Sequence, residues 1–500
     1  MVSQKKENFW KFVAILGIVL YVVFSVFFIL FGRVNADEGW YLYASRLVYM
    51  GQRPYQDFAY TQTPLSPYIY GIVQNMFPPG TYLGRITSLF FAIIAALLSV
   101  TLVRRYANWM ASGITAMLWA TFAYGIYYQS IVKTYALLTL LFMLSFYFLS
   151  TQNRQEWKLI LAALCVVFAA LTRLSALLFA IPILLYIFVV ASKRSKVIIV
   201  VISATAVAWM IWLSFPDVRA VQWNLLIHHV GQWQNLSNIE KVQEIFGWRI
   251  PNLIFAYFSY FLLITAIVLL GYKQIFIHLK NNLIIAVVLA STLLFIMPHL
   301  VTGGWHIEYF VPAIFVSFTI IGILFTEIYK QQSPYPKIIL QVVLLSTFIL
   351  GLMRDGQLFV DTSGGQMPIQ EIAKVSDIVT QLSDPEDEIL ALEGLWIAID
   401  SDRLTLPGLS MAQFSFLDDD AVTAKRFNLV NGEIVADYIA EGRPKLVVLT
   451  DLDWGLLQNS GEAERILVLL NKQYELILRK DEFGQRQGVI EVYVRLDSSN

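Results

Sequence analysis

The sequence predicts a polytopic α-helical membrane bundle of about eleven spans, followed by a small water-soluble α/β domain. Hydrophobic residues make up 57% of the 500-residue chain and charged residues only 14%, against roughly 25% charged in soluble proteins. Of the 36 Asp and Glu residues, 10 precede residue 354 and the other 26 follow. We therefore expect a lipid-embedded domain at 1–354 and a soluble domain at 355–500.

Each predicted span is an apolar run close to the roughly 20 residues that cross a bilayer. The first run, from Phe9 to Phe31, is too long for the apolar region of a signal peptide and is interpreted as a span. The predicted spans are 9–31, 83–103, 109–127, 131–150, 158–172, 174–191, 197–214, 251–271, 283–298, 308–327 and 337–353.

The positions of Lys and Arg predict the orientation of the bundle. Short segments such as those with Lys5, Lys6, Arg104 and Arg105 hold more basic residues than the longer segments that alternate with them, so we place them in the cytoplasm. Eleven spans then put the C-terminal domain outside the plasma (inner) membrane. Because the formal net charge is zero, the bilayer is an expected partner and nucleic acid is not.

The first long outer loop, 32–82, contains two stretches in which apolar residues recur at helical spacing. We predict two amphipathic helices on the membrane surface, although ordinary loop helices without a site would show the same spacing. The residues are Trp40, Tyr43, Ala44, Leu47 and Val48 in the first stretch, and Leu65, Tyr68, Ile69, Ile72, Val73 and Met76 in the second.

The C-terminal region alternates between helical and strand patterns. It has no glycine-rich phosphate loop, His/Cys cluster or nucleophile elbow, so we expect it to have a supporting role. The predicted helices are 367–382, 432–440 and 461–471, and the predicted strands are 389–392, 445–450, 474–479 and 488–496.

Asp37 and Glu38 are adjacent carboxylates just beyond the first span. Partial desolvation beside Trp40 and Tyr41 would raise a carboxyl pKa toward that of a usable general base. The alternative is an acidic helix cap, because Asp is common at the N-cap and Glu in the first turn.

Three further polar residues of this loop are candidates for binding a hydroxylated substrate. Asp57 could position a sugar, although an Asp that caps a turn is the simpler interpretation. Tyr60 and Gln62 offer hydrogen bonds to a sugar or a phosphate.

Three cations lie near the predicted outer ends of spans, where basic residues are normally disfavoured. Arg85 begins the second span, and Lys133 and Arg173 lie near the ends of later ones. A guanidinium can bind a phosphate through two hydrogen bonds. The alternative is contact with lipid headgroups.

The histidines of the outer loops are candidate ligands for a metal or a phosphate. His228 and His229 lie in the second long outer loop, 215–250. His306 lies in the short outer loop 299–307, and Glu308 lies at the start of the tenth span. No pair has the i, i+4 spacing of a helical zinc motif, and the one cysteine, Cys165, excludes a cysteine metal site. The sequence therefore does not support a metal, and the cofactor stays unknown.

The order of these features resembles the GT-C superfamily of integral membrane glycosyltransferases, especially the group around protein O-mannosyltransferases and the lipid A aminoarabinose transferase. The topology is similar over the whole membrane part, whereas the specific motifs lie in the first loop and at two span starts. They are Asp37–Ala44, Arg46-Leu47, Gly51–Phe58, Pro64-Leu65, Leu83–Ile86 and Glu308–Pro312.

This resemblance implies a polyprenyl-phosphate-linked sugar as donor, and a glycan, lipid or protein hydroxyl as acceptor on the extracytoplasmic side. It implies an inverting displacement with Asp37 as general base and Glu38 in support. Cations on the opposite face of the sugar would stabilise the leaving phosphate. Arg85, His306 and His228 or His229 are the candidates for that task.

The sequence departs from the resemblance at one point. The aminoarabinose transferase has a Glu-Lys pair for metal and phosphate contacts where Gln62-Thr63 precede Pro64 here. A phosphate clamp would then draw on Arg85, Lys133, Arg173 or the histidines.

A different class of protein, a transporter or flippase for a lipid-linked or small substrate, is the alternative. Transporters usually show internal repeats and charges at the membrane midplane. Here no repeat is visible, and the charges lie at the predicted outer edge. A non-catalytic membrane subunit is a third interpretation, against which the intact Asp-Glu pair argues.

Overall fold

A computed structural model describes residues 2–150, 155–215, 217–228, 236–301, 304–353, 368–483 and 488–496. The predicted domain boundary at 354/355 lies outside the described residues. The first ten helices are α1 Val2–Phe31, α2 Ala36–Tyr49, α3 Leu65–Met76, α4 Thr81–Tyr106, α5 Trp109–Thr121, α6 Ala123–Ser130, α7 Thr134–Leu149, α8 Glu156–Thr172, α9 Ala176–Val190 and α10 Lys193–Ser214. The membrane part continues with α11 Val218–Gln222, α12 Asn238–Gln243, α13 Ile250–Ala256, α14 Phe258–Asn281, α15 Leu283–Val301, α16 Val311–Gln331 and α17 Pro334–Met353.

Seven of the described helices are long and apolar enough to cross a membrane: α1, α4, α10, α14, α15, α16 with the turn before it, and α17. Helices α6 and α7 add an eighth if they are one broken span, bent by 103°. Helices α5, α8 and α9 have 13, 17 and 15 residues. The helical membrane part is confirmed, and the number of eleven spans stays a prediction.

Small residues bring α1 and α5 into close contact at the centre of the bundle. A Cβ atom at Gly17 would lie 2.7 Å from the Ala116 backbone, so a side chain there would force the two helices apart. Nearby, the fully buried Trp119 packs on Phe315 of α16, with ring centroids 4.2 Å apart. This packing gives the outer loops a fixed base.

The C-terminal domain has a five-stranded mixed sheet of order β2-β1-β3-β5-β4. Strands β1, β2 and β3 are parallel, and β5 pairs antiparallel with β3 and β4. All four predicted strands are confirmed, and the short β2 is an addition. The elements are α18 Pro368–Gln381, β1 Glu388–Ala391, α19 Leu395–Asp400, β2 Leu404–Thr405, α20 Ala421–Arg426, α21 Gly432–Ala440, β3 Leu446–Thr450, α22 Asp451–Asn459, α23 Ala463–Gln473, β4 Tyr474–Phe483 and β5 Gly488–Arg495.

This domain packs directly on the loop helix α2. The Trp396 indole donates a hydrogen bond of 3.0 Å to the Asn35 carbonyl. The Thr405 amide donates one of 2.8 Å to the Tyr43 hydroxyl. The predicted loop helices exist, but the prediction of α2 as an amphipathic surface helix was wrong: most of its residues are buried. The C-terminal domain covers the face that was expected to meet water.

Gly39 sets the distance between α2 and this domain. A Cβ atom there would lie 2.9 Å from the Trp396 backbone nitrogen and 2.9 Å from the Leu395 Cβ. We expect Gly39→Ala to lower the midpoint of thermal unfolding of the purified protein by several degrees. Overpacking costs about 1–3 kcal/mol, more than the roughly 1 kcal/mol that Ala gains over Gly within a helix.

Gly455 supplies the matched control, because it is also helical and a Cβ there would meet nothing within 4 Å. Gly455→Ala should leave the midpoint unchanged or raise it. Equal midpoints for the two variants would contradict the close contact at Gly39.

Candidate active site at the start of helix α2

The first turn of α2 gives its two carboxylates different tasks. Asn35 is the N-cap, and its side chain accepts a hydrogen bond from the Asp37 amide at 3.1 Å. Glu38 reaches back to accept one from the Asn35 amide at 3.0 Å. This is the capping-box arrangement that an Asn followed three residues later by Glu favours. The Asp37 side chain remains available for contacts outside the helix.

Glu38 is fully buried and forms a two-point ion pair with Arg85 of α4. The Arg85 Nη2 and Nε atoms lie 2.7 and 2.8 Å from the Glu38 carboxylate oxygens. The same carboxylate accepts a 3.1 Å hydrogen bond from the Val132 amide, in the break between α6 and α7. Glu38 therefore links the start of α2 to two other helices.

The structure gives Arg85 a different partner from the expected lipid phosphate. Its side chain is 0% exposed, and it also donates to carbonyl oxygens at the end of α1, including Ile29 at 3.1 Å and Arg33 at 2.8 Å. These contacts satisfy the hydrogen-bond donors of the guanidinium inside the protein, so we do not include Arg85 among the proposed phosphate ligands.

Asp37 meets Lys133 instead. The Lys133 Nζ lies 2.8 Å from Asp37 Oδ2 and 3.6 Å from Glu308 Oε1. The Trp40 indole donates to Asp37 Oδ1 at 3.2 Å. Lys133 is 5% exposed and Asp37 25% exposed. The sequence placed these three charged groups in separate loops, and the fold brings them into one cluster.

The expectation of a raised pKa for Asp37 was wrong. Partial burial does raise the pKa of Asp37, but the charge and hydrogen bond of Lys133 and the Trp40 indole lower it further, so the net pKa is below the usual value. The sequence suggested the desolvation by Trp40 and Tyr41 but not the lysine. Asp37 is therefore ionised at neutral pH.

Arg173 lies at the end of α8, on the other side of a group of tyrosines. Its guanidinium is 4.4 Å from the centroid of the Tyr309 ring and 5.4 Å from that of Tyr135. It donates a hydrogen bond of 3.3 Å to the Thr134 hydroxyl. These contacts are with neutral groups, so they leave the positive charge of the Arg173 guanidinium available to an anion.

A cavity of about 290 Å³ opens beside Arg173. Gln62, His299 and Tyr309 are among the polar residues that line it together with Arg173. The remaining wall is mainly apolar, with leucines from the start of α9, from the turn before α9 and from the second long loop. They are Leu174, Leu177, Leu178, Leu225 and Leu226.

The other residues predicted from the first loop have structural contacts. The Asp57 side chain accepts a hydrogen bond of 2.6 Å from the Arg53 amide. This contact agrees with the alternative interpretation of Asp57 as an Asp that caps a turn. Tyr60 is 0% exposed and packs against Trp40 and other aromatic rings. Gln62 lines the cavity, as described above.

The histidines do not converge on a metal centre. His228 packs against Trp223 and Phe414, whereas His306 is exposed beside Tyr309. His229 lies outside the described residues. Within the described ranges, no three His, Cys, Asp or Glu side chains are grouped as a metal site would need.

Sequence reasoning did not select the tyrosines around the two cations. Tyr135 lies against both Lys133 and Arg173, and Tyr309 lies against Arg173. The Tyr41 ring stacks on the Trp40 ring, with centroids 3.8 Å apart. One signal was available, because Tyr309 directly follows Glu308 in a motif that carries the resemblance.

No family model matches the chain, and no curated protein matches it either. Comparison with solved structures nevertheless shows the fold, which is similar to those of ArnT and of an archaeal oligosaccharyltransferase. One similar structure is ArnT from Cupriavidus metallidurans bound to undecaprenyl phosphate, with TM-score 0.65 and 12% identity over 97% of this chain and 98% of that one. Its apo state gives TM-score 0.64 at 12% identity, over 98% of both chains.

The oligosaccharyltransferase of Archaeoglobus fulgidus is also similar, with TM-score 0.52 and 13% identity. The match covers 97% of this chain and 75% of that one. Sequence identities this low show a shared fold but do not show that the proteins share a reaction.

The Glu38–Arg85 pair provides a test of how the site is held. We expect Arg85→Met to destabilise the protein by about 3–5 kcal/mol, because the Glu38 carboxylate is left buried without its cation. Glu38→Gln/Arg85→Met removes both charges and should unfold at a higher temperature than Arg85→Met alone.

The exposed pair Lys330–Glu327, at 2.8 Å, is the control. Lys330→Met should change stability by no more than about 1 kcal/mol. If the double variant lost as much free energy of unfolding as Arg85→Met and Glu38→Gln lose together, the two residues would be energetically independent. That result would contradict their contact.

Proposed function

We propose that this protein is a membrane glycosyltransferase that moves a sugar from a polyprenyl-phosphate donor to an acceptor hydroxyl on the extracytoplasmic side. The observation that carries the proposal is the arrangement of Asp37 and Arg173. The first is an ionised, partly exposed carboxylate, and the second is a cation at the head of a largely apolar cavity. Asp37 offers a base, and Arg173 offers a site for a lipid phosphate. The GT-C fold supports this assignment.

The cavity suits a lipid phosphate in its distribution of polarity. The donor phosphate would bind the Arg173 guanidinium, which can hold two phosphate oxygens at once. The first part of the polyprenyl chain would lie along Leu177, Leu178 and Leu225, which line the same cavity. Burial of this hydrocarbon would add to the binding free energy in proportion to the area removed from water.

The proposed reaction is a single displacement at the anomeric carbon. The acceptor oxygen forms a bond to that carbon while its proton passes to the Asp37 carboxylate. The bond between the anomeric carbon and the phosphate oxygen breaks, and its electron pair leaves with the polyprenyl phosphate. Arg173 stabilises the negative charge that develops on this leaving group. Attack from the face opposite the phosphate inverts the anomeric configuration.

Glu38 supports this reaction by position. Its carboxylate accepts hydrogen bonds from Asn35, Arg85 and Val132 inside the protein, so it has no proton-transfer role in the proposal. It holds the start of α2 against the break that carries Lys133.

Replacing the base should abolish the reaction. We expect Asp37→Asn to reduce sugar transfer by at least about 100-fold, since positioned general bases contribute about 10²–10⁴-fold. Mass spectrometry of surface glycans and lipids would measure this in cells that carry either the wild type or the variant as their only copy.

Asp57→Asn is the matched control, because Asp57 caps a turn and is 41% exposed; it should keep transfer close to wild type. Full transfer by Asp37→Asn at normal abundance would contradict the proposal. So would movement of a lipid-linked substrate across proteoliposomes without any covalent product, which is the transporter alternative.

The phosphate role of Arg173 can be tested with a simple probe. Native mass spectrometry of the purified protein should show binding of undecaprenyl phosphate in preference to undecaprenol, and Arg173→Met should reduce this preference. Arg105→Met, at the C-terminal end of α4, serves as the control and should retain it. Equal binding of the phosphate and the alcohol by the wild type would exclude a phosphate site.

The lowered pKa of Asp37 predicts a pH dependence. A carboxyl whose pKa is depressed stays ionised until the pH falls below that pKa. Even an ordinary Asp titrates at about 3.9. Protonation of Asp37 should therefore not reduce transfer by the wild type between about pH 7 and pH 5. In Lys133→Met, burial raises the pKa without the opposing ammonium. The acid limb of its rate profile should then move to higher pH than that of the wild type. Identical acid limbs would refute the ion pair as the cause.

A further inference from the structure

A divalent cation is one means of neutralising charge in group transfer. The residues of this site do not fit such an ion. The described residues contain no group of three metal-ligating side chains. Asp37 and Glu308, the two carboxylates of the site, both contact the lysine Lys133.

We propose that the Lys133 ammonium takes the place of a divalent cation between Asp37 and Glu308, so that the site operates without a metal ion. This inference rests on the proposed function for its catalytic part, whereas its claim about metal binding stands independently. The observation behind it is the pair of contacts from Lys133 Nζ, 2.8 Å to Asp37 and 3.6 Å to Glu308.

The protein holds Lys133 in this place by its backbone. Lys133 occupies the N-cap of α7, directly after the sharp bend that follows α6. The preceding residue, Val132, is tied to the buried Glu38 by its amide. The rings of Tyr128 and Tyr135 lie 5.3 and 5.7 Å from the ammonium, within reach of cation–π attraction. The lysine is therefore part of a built site and not a mobile surface side chain.

The charges of the site also favour a lysine over a dication. Asp37 and Glu308 carry two negative charges, and Lys133 and Arg173 carry two positive ones, so the group is neutral before substrate binds. A dication would have to displace Lys133, and the displaced ammonium would then be buried without a partner. Breaking a buried pair in this way is strongly destabilising.

A monocation is better suited to the proposed chemistry. A carboxylate bound to a dication loses much of its ability to accept a proton, because the ion holds its lone pairs. The two oxygens of the Asp37 carboxylate accept from Lys133 and Trp40, and each retains a further lone pair for the acceptor hydroxyl. Lys133 keeps Asp37 ionised and leaves it able to act as a base.

Mn²⁺ binding measured by electron paramagnetic resonance on the purified full-length protein tests the inference without any substrate. The wild type should bind no Mn²⁺ at Asp37, so its binding curve should match that of Asp37→Asn. Lys133→Ala leaves two facing carboxylates and should bind an additional Mn²⁺ ion. That ion should be lost again in Lys133→Ala/Glu308→Gln.

Lys133→Arg is the control for damage to the fold, because it keeps a positive charge and should bind no additional Mn²⁺. Thermal unfolding would confirm that each variant is folded. Wild-type binding of an Mn²⁺ ion that Asp37→Asn abolishes would overturn the inference. A folded Lys133→Ala that gains no Mn²⁺ would overturn it as well, since the lysine would then not occupy a cation site.

The catalytic part is tested by adding a chelator to the transfer reaction. Wild-type transfer should be unchanged in EDTA, whereas Lys133→Ala should lose about 100-fold or more and regain part of it when Mn²⁺ is supplied. Loss of wild-type transfer in EDTA would contradict the inference while leaving the glycosyltransferase proposal intact. Absence of transfer under every condition, together with the predicted Mn²⁺ binding, would contradict the proposed function and leave the metal-replacing lysine supported.

Discussion

The buried contact between Glu38 and Arg85 is the constraint on which the rest of the site depends. One carboxylate, with 0% of its side chain exposed, satisfies the N-cap amide of α2, a guanidinium from α4 and the amide of Val132. Three chain segments thereby meet at one charged group. Leaving any of these partners unpaired in a low-dielectric interior would be costly, so their relative positions are fixed. Lys133 follows Val132 and is carried to Asp37 by the same contact.

The C-terminal domain completes this arrangement from the other side. It covers α2 through Trp396 and Thr405, and it reaches the first residue of α4, where Asp400 accepts hydrogen bonds from the Thr81 amide and hydroxyl at 2.7 and 2.9 Å. The helix that carries the candidate base is thus held between the helical bundle and the C-terminal domain. A carboxylate fixed in this way needs little reorganisation when charge develops near it, which is the condition for electrostatic stabilisation of a transition state.

The sequence predicted the class of fold because composition and periodicity act over long segments. Apolar runs predicted the membrane helices, and the alternating pattern after residue 367 predicted four strands that the structure confirms. The candidate site could be predicted only as a set of residue types. Adjacent residues of a helix point in different directions, so one of Asp37 and Glu38 had to turn inward, but the sequence could not say which.

The contacts that define the site come from tertiary structure. Lys133 reaches Asp37 because α6 and α7 bend by 103°. The sequence predicted a break between two spans at 128–130, but an apolar pattern does not give the angle of a bend. The burial of Arg85 depends on carbonyl oxygens exposed at the end of α1, which no side-chain pattern encodes. The covering of α2 joins residues more than 300 positions apart, a distance at which hydrophobic periodicity carries no information.

In the proposed reaction, Asp37 and Arg173 act from opposite faces of one sugar in a single displacement. Nuclear magnetic resonance of the transferred sugar, with a donor of known anomeric configuration, would test this geometry most directly. We expect the configuration in the product to be inverted relative to the donor. Retention would require a covalent or ion-pair intermediate attacked from the same face, and would contradict Asp37 as the base of a single displacement.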